Sequence, residues 1–194
     1  MNPTTPTLFL SCGGTIEKIY LADSGQMGFG QSHISDWVKT CRIAQNYRTE
    51  TLMLIDSLDM TEQDRELLAS RIAETSESQI VVLHGTDTMV ESAARVMLHR
   101  KENQVVVFTG AMVPASQKES DALFNLGMAT AAVQTLEPGV YIAMSGQVFP
   151  AGQVRKNKSL GVFESTEKHP TTEGLESENG TLRITKRKMT GFFR

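Results

Sequence analysis

The sequence is poor in cysteine, in net charge and in long apolar runs, and each scarcity excludes a class of protein. Its 194 residues include only the cysteines Cys12 and Cys41, which excludes a disulfide-stapled scaffold and a cysteine-based metal centre. The formal net charge is -3 at pH 7, so charge gives no reason to expect nucleic acid or a membrane surface as a partner. No apolar run approaches the roughly 20 residues that a membrane-spanning helix needs.

Signals for export and for nucleotide binding are also missing. The first residues, MNPTTP, contain no positive charge followed by an apolar segment, so we expect no signal peptide and a cytoplasmic location. Gly13-Gly14 lacks the third glycine of the dinucleotide fingerprint, and neither a P-loop nor a Gly-x-Ser-x-Gly elbow occurs. The four histidines have no metal-ligand spacing with acids or cysteines. We therefore expect neither a metal nor a cofactor.

What the sequence does contain is an alternation of short apolar runs with helical patterns. Continuous apolar runs are typical of strands that are buried on both faces of a parallel sheet. The alternation predicts a single three-layer α/β domain, with a mostly parallel, flavodoxin- or Rossmann-like sheet and helices on both faces. The expected strands are residues 7–10, 51–55, 80–83, 105–108 and 140–144, and the expected helices cover 32–40, 61–74, 88–100 and the region from Ser116 to Leu136.

Two stretches do not fit this alternation. Residues 16–31 have no hydrophobic period and predict a long mobile loop, which in a compact domain is usually functional or disordered. Residues 166–194 predict a linker and C-terminal tail: residues 166–180 contain few large apolar side chains, and Thr181–Thr185 alternates like a short exposed strand. The α/β domain is therefore expected to occupy residues 1–165.

Small and polar residues follow four of the predicted strands. The carboxyl ends of parallel strands meet at one edge of a sheet, where open α/β sheets bind ligands. Helix capping explains part of the pattern, because Thr88 and Glu91 have capping-box spacing and Asp87 is a good cap residue. Capping alone does not account for all four groups, which favours a binding site. They are Gly13-Gly14-Thr15, Asp56-Ser57, Gly85-Thr86-Asp87 and Thr109-Gly110-Ala111.

The chemistry available at this edge is that of hydroxyl groups beside a carboxylate. Such groups suit attack on an amide carbonyl, provided that a neighbour lowers the cost of removing the hydroxyl proton. A lysine could serve as that base only if burial beside other groups lowered its pKa.

In these residues the chain resembles the bacterial-type L-asparaginase family, which includes glutaminase-asparaginases. The resemblance covers about residues 7 to 165, and its motifs follow the family's order. The matching segments are Gly13-Gly14-Thr15-Ile16, Asp56–Met60, His84–Met89, Gly110-Ala111-Met112-x-Pro114, Ser120-Asp121-Ala122-x-x-Asn125-Leu126, Gln153–Asn157 and Phe163-Glu164-Ser165.

The resemblance implies roles for five catalytic residues. Thr15 would be the primary nucleophile, and Tyr20, in the loop that follows, would orient it. Thr86, Asp87 and Lys156 would form a second cluster that assists water or proton transfer.

The resemblance also implies how the substrate is held. Ser57, with nearby backbone amides in the segment that contains Leu58, would bind the substrate's α-carboxylate. Asp87, next to Thr86, would bind its α-ammonium, and the backbone at Ala111 would contact the side-chain amide. Leu58 stands where many members have a polar residue, so we expect weaker substrate binding than in longer relatives.

Length is the second difference from the family. Its usual members are nearly twice as long, and their smaller second domain lends an acidic residue to the substrate ammonium of a neighbouring subunit. We expect a short single-domain member that lacks this C-terminal domain. Association into a homo-oligomer, a dimer or a tetramer, would then close the site.

The leading hypothesis is hydrolysis of L-asparagine to L-aspartate and ammonia. The alternatives are a related hydrolase that acts on glutamine, D-asparagine or another small amide, and a non-catalytic sensor of an amino acid. Asp121 and Asn125 are expected to be structural, at the start of a helix.

Overall fold

The computed structural model describes residues 6–167, which fold into the alternating strands and helices of an α/β domain. The tail and its expected strand at Thr181–Thr185 lie outside the described residues. The strands are β1 (Thr7–Gly13), β2 (Ile19–Leu21), β3 (Gln26–Gly28), β4 (Tyr47–Ile55), β5 (Gln79–Leu83), β6 (Val105–Thr109), β7 (Gly139–Met144), β8 (Gln147–Pro150), β9 (Val154–Asn157) and β10 (Val162–Ser165). The helices are α1 (Ile34–Thr40), α2 (Glu62–Glu74), α3 (Met89–His99) and α4 (Ala122–Thr135).

A six-stranded sheet in the order β4-β1-β5-β6-β7-β8 forms the centre of the described chain. Its first five strands are parallel, and β8 is antiparallel to β7. Numbered along the chain, the parallel strands follow the doubly wound order 2-1-3-4-5, which reverses between β1 and β5. The predicted mostly parallel α/β fold is therefore confirmed. Its expected binding edge is the carboxyl end of β1 and β5.

Helices cover both faces of this sheet, as the three-layer prediction requires. One apolar cluster joins a face of the sheet to α2 and α3 through residues such as Leu68 and Val96. A second cluster joins the opposite face to α1 and α4 through Val38 and Leu126. Because β1, β5 and β6 are covered on both sides, their sequences are continuous apolar runs. Among residues 6–167, none of the helices combines the length and apolarity needed to cross a bilayer.

The segment from Ile16 to Gln31 is not the featureless loop that its lack of a period predicted. Residues Thr15–Glu17 form a single turn of 3-10 helix, and β2 then pairs with β3 as an antiparallel hairpin in which Tyr20 lies opposite Met27. None of the residues in these two short strands is fully buried. A hairpin without a buried face leaves no alternating signal in the sequence.

Two expected helix starts had different outcomes. The prediction at Thr61 is confirmed, because its hydroxyl accepts from the Asp64 N–H and the Asp64 carboxylate accepts from the Thr61 N–H. The prediction at Ser116 is wrong: α4 begins only at Ala122. The Ser116 hydroxyl instead donates to the Lys18 carbonyl oxygen at 3.0 Å, so a tertiary partner replaces the expected cap.

The region after β7 returns the chain to the edge of the sheet where β5 ends. β9 and β10 form an antiparallel hairpin in which Lys156 lies opposite Phe163. Val154 and Phe163 are buried in the same apolar cluster as α2 and α3. This packing fixes β9 beside α3, and it is what brings Lys156 to the candidate site.

Candidate active site

Glycines allow the chain to approach itself closely at the carboxyl ends of β1, β4 and β5. Gly14 has φ 79, a left-handed conformation that favours glycine. A Cβ atom on Gly14 would lie 2.2 Å from the Gly85 nitrogen, and one on Gly85 would lie 2.5 Å from the Ser57 Oγ. A side chain at either glycine would therefore push apart the three segments that carry the candidate residues.

The loop after β6 reaches the same place. A Cβ atom on Gly110 would lie 2.4 Å from the His84 carbonyl oxygen and 3.5 Å from the Thr86 Cγ2. The next residue, Ala111, is fully buried. The Gly110 carbonyl oxygen accepts a hydrogen bond from the Asn125 Nδ2 at 3.0 Å.

Asp121 holds the rest of this loop. One of its carboxylate oxygens accepts from the backbone N–H groups of both Met112 and Val113 at 3.0 Å, and the other accepts from the Asn125 Nδ2 at 2.8 Å. Asp121 and Asn125 thus shape the loop around Ala111, in agreement with the structural role expected for them.

Lys156 joins two neighbouring residues that are distant from it in the sequence. Its Nζ donates to the Thr86 Oγ1 at 2.7 Å and to the Asp87 Oδ1 at 2.8 Å. The Lys156 side chain is 9% exposed and that of Asp87 is 36% exposed. The lysine ammonium therefore sits in a largely desolvated position, with a threonine hydroxyl and a carboxylate as its partners. This arrangement can stabilise negative charge that develops near Thr86.

Thr88 and Ser57 link the end of β4 to the end of β5. The Thr88 hydroxyl donates to the Ser57 carbonyl oxygen at 2.7 Å and makes no cap hydrogen bond to α3. The capping box expected between Thr88 and Glu91 is therefore wrong, because the hydroxyl bonds across the site instead. The Ser57 Oγ is buried and has no hydrogen-bond partner among the described residues. A buried hydroxyl without a partner is costly, and it can donate to a ligand.

Thr15 and Tyr20 differ in their distance from the cluster of Lys156, Thr86 and Asp87. Thr15 directly follows Gly14, which packs on Gly85, so the Thr15 and Thr86 segments meet one residue before each threonine. The Thr15 side chain is half-buried. Tyr20 is 61% exposed; it lies opposite Met27 and close to Gly25, both in its own hairpin. The fold therefore gathers the segments of Thr15, Ser57, Thr86, Asp87 and Lys156, while Tyr20 stays on the exposed hairpin.

The segment that contains Ser57 also holds an ion pair that the sequence did not reveal. Lys18 Nζ lies 2.5 Å from the Asp56 Oδ2, and this bond lowers the pKa of Asp56 below its ordinary value. The other Asp56 oxygen accepts from the Leu58 N–H at 3.0 Å. Leu58 is 65% exposed, so its side chain points away from the core and its amide is already bonded. No spacing rule could have paired Lys18 with Asp56.

His84 lies directly beneath the site. Burial lowers its pKa to about 4, so the ring is neutral near pH 7, and its Nδ1 lies 2.7 Å from the Gly85 carbonyl oxygen. Burial also raises the pKa of the Cys12 thiol, as expected for an inert core cysteine. Within residues 6–167, no three potential metal ligands among His, Cys, Asp and Glu converge.

Comparisons with known proteins support the resemblance seen in the motifs. The family model described as asparaginase, N-terminal, matches residues 7–188. A probable periplasmic L-asparaginase of Haemophilus influenzae is 31% identical over 167 residues, which are 79% of this chain and 46% of that protein. The crystal structure of a probable cytoplasmic L-asparaginase from Campylobacter jejuni has a TM-score of 0.71 at 30% identity, covering 84% of this chain and 53% of the other.

A third relative agrees in fold. The thermostable L-asparaginase from Thermococcus kodakarensis superposes with a TM-score of 0.74 at 26% identity, covering 82% of this chain and 51% of that one. The chain thus spans about half the length of the relatives that it matches.

Proposed function

The chain belongs to the asparaginase family, and from this we propose that it is an amidohydrolase that converts L-asparagine to L-aspartate and ammonia. The observation that carries the proposal is the convergence of Lys156, Thr86 and Asp87 beside the segment of Thr15. Each of these residues also occupies its position in the family's motifs.

We propose that the reaction begins at Thr15. Its Oγ attacks the side-chain amide carbon, and the new C–O bond replaces the C–N bond as ammonia leaves with the threonine proton. Water then hydrolyses the acyl ester, which releases aspartate and restores the hydroxyl. In this proposal the Lys156 ammonium, bonded to Thr86, stabilises negative charge and orients the attacking water. Tyr20 would orient Thr15 only if the hairpin moves toward the site.

Substrate binding in this proposal uses groups that the protein leaves unsatisfied. The Ser57 hydroxyl has no partner among the described residues, so it is available to the α-carboxylate. Asp87 bonds Lys156 through its Oδ1, and its other oxygen faces no cation among residues 6–167, so we assign the α-ammonium to it. The backbone at Ala111 would contact the side-chain amide. Leu58 contributes no polar side chain, so we propose weaker substrate binding than in the longer relatives.

We further propose that the protein is a homo-oligomer, a dimer or a tetramer, that closes the site by association. Loops near the candidate site expose large apolar side chains: Leu58 is 65% exposed, Leu160 70% and Met112 40%. If these side chains form one contiguous patch, it would be typical of an interaction surface. Residues 1–165 would be the catalytic domain and 166–194 a tail. The cytoplasm remains the proposed location. The Campylobacter jejuni relative is named as a cytoplasmic enzyme, and the Haemophilus influenzae relative as a periplasmic one.

Ammonia release from L-asparagine, L-glutamine and D-asparagine tests the proposal. We expect L-asparagine to be the best substrate, and Thr15→Ala and Thr86→Ala each to lose at least a hundredfold in kcat, because each removes a reacting hydroxyl. The control is Thr135→Ala, whose hydroxyl bonds only within α4, and it should behave as wild type. Preference for glutamine or D-asparagine would support the related hydrolase. Binding of asparagine without any ammonia release would support the sensor.

A further inference from the structure

A buried carboxylate, that of Glu17, lies in the same 3-10 turn as Thr15. Glu17 is only 1% exposed. Its Oε1 accepts from the Ser11 hydroxyl at 2.6 Å and from the Ser32 hydroxyl at 2.7 Å, and its Oε2 accepts from the His33 N–H at 3.2 Å. Three donors thus satisfy a charged group that would be expensive to bury alone.

These three bonds connect parts of the chain that frame the candidate nucleophile. Ser11 belongs to β1, the strand that leads into Gly14 and Thr15. Ser32 and His33 lie between the end of the β2–β3 hairpin and the start of α1. Glu17 itself immediately precedes the hairpin. Its carboxylate therefore fastens both ends of the hairpin, which carries Tyr20, to the strand behind Thr15.

Two further contacts attach the same turn to the rest of the domain, and the ion pair among them is more exposed than the Glu17 carboxylate. Lys18 reaches Asp56, and the Ala115 N–H donates to the Ile16 carbonyl oxygen at 3.2 Å. The Lys18–Asp56 pair is one-quarter exposed on each side, so solvent weakens it. Glu17 is a buried polar attachment of the turn. An apolar residue could fill its space at lower desolvation cost, so the retained charge calls for a role beyond packing.

We propose that Glu17 is a positioning residue for the amide hydrolysis proposed above: it fixes the orientation of Thr15 and the base of the Tyr20 hairpin. It acts through Ser11, Ser32 and His33 and does not touch the substrate. This inference rests on the proposed function, because it concerns the geometry of that reaction.

Glu17→Gln is the most direct test. The amide replaces one acceptor oxygen by a donor, which must then face either the two serine hydroxyls or the His33 N–H. A shift of about 1 Å in a reacting group can cost about a hundredfold in rate. We expect kcat for asparagine to fall about a hundredfold, with KM within about threefold of wild type. Ser32→Ala keeps the Glu17 carboxylate and removes one hydrogen bond to it, so we expect kcat to fall only about tenfold.

Glu77→Gln is the matched control. Glu77 is also a buried carboxylate, 5% exposed, and it accepts hydrogen bonds from Arg48 at 2.9 Å and from Thr75. It lies before β5, at the opposite end of the sheet from the candidate site. A general loss of stability from a buried Glu→Gln change should appear in both variants, whereas a loss of kcat should appear only at Glu17.

Two measurements report the hairpin without relying on activity. Trp37 is the only tryptophan, and its ring centroid lies 6.2 Å from that of His33, so its fluorescence should change in Glu17→Gln but not in Glu77→Gln. Chymotrypsin should also cut at Tyr20 faster in Glu17→Gln. If wild type releases no ammonia from any amide, the proposed function fails. If wild type is active and Glu17→Gln matches Glu77→Gln in kcat, fluorescence and cleavage, the inference about Glu17 is wrong.

Discussion

Replacing Lys156 by methionine removes the ammonium from the candidate site while keeping a side chain of similar length. Lys156 donates to both Thr86 and Asp87 and is 9% exposed. Loss of one preorganised donor in an active site costs about a hundredfold to a thousandfold in kcat. Because the two bonds come from one group and act as a unit, their losses should not multiply. We therefore expect kcat to fall by about a hundredfold to a thousandfold.

The stability of Lys156→Met should change far less than its activity. Asp87, the partner left behind, is 36% exposed, so water can solvate its carboxylate, and we expect a loss of only about 1 kcal/mol in the free energy of unfolding. Denaturant unfolding measures that loss, and ammonia release at saturating asparagine measures kcat. A large drop in stability would mean that the lysine holds the fold together and that its effect on kcat is indirect.

Lys156→Arg separates two ways in which the lysine can act. Arginine keeps the positive charge but does not lose its proton in proteins. If Lys156 serves as a fixed cation, the arginine variant should recover at least tenfold over the methionine variant. If Lys156 must release its proton, both variants should be equally slow. Wild-type kcat in Lys156→Met would refute the role assigned to the cluster.

Three further results are expected from single perturbations. Ser57→Ala removes a buried hydroxyl without a partner among the described residues, so thermal unfolding should show equal stability or a gain of up to about 1 kcal/mol. The KM for asparagine should rise about tenfold. A destabilised variant would contradict this. Gly14→Ala combines left-handed strain with a Cβ 2.2 Å from a backbone nitrogen, so urea unfolding should show a loss of roughly 3 kcal/mol in the free energy of unfolding. The control Gly127→Ala, whose Cβ meets no neighbouring atom, should show no loss. The pKa of His84 is lowered from 6.5 to about 4 by burial, so the unfolded chain binds the proton more readily. The contribution of His84 to the free energy of unfolding should be constant above pH 6.5 and fall as the pH drops toward 4, and the fall in stability over this range should be smaller in His84→Gln.

The layers and central strands of the fold were predictable because burial leaves a direct mark on sequence. β5 and β6 are covered on both faces, and each is a continuous apolar run. The β2–β3 hairpin left no such mark, since none of its strand residues is fully buried. Local capping rules also failed where a hydroxyl found a distant partner: Thr88 bonds Ser57, and Ser116 bonds Lys18.

The candidate site was only partly accessible from sequence. Strand ends predicted that Thr15, Ser57 and Thr86 would share one edge of the sheet, and the glycine contacts bear this out. Lys156 is separated from Thr86 by 70 positions, and it was assigned through family resemblance, not through any local pattern. Glu17 carried no signal at all, because an isolated acid in an irregular segment has the same appearance in sequence whether it is solvated or buried.

The contact between Gly14 and Gly85 has a consequence for how this pocket can change. The two loops that carry the threonines meet backbone to backbone, so their spacing does not depend on the size of any side chain around them. Positions on neighbouring loops, such as Leu58 and Met112, can therefore be exchanged without displacing the Thr15 and Thr86 segments. A library aimed at new substrates should vary those loop positions and leave both glycines untouched.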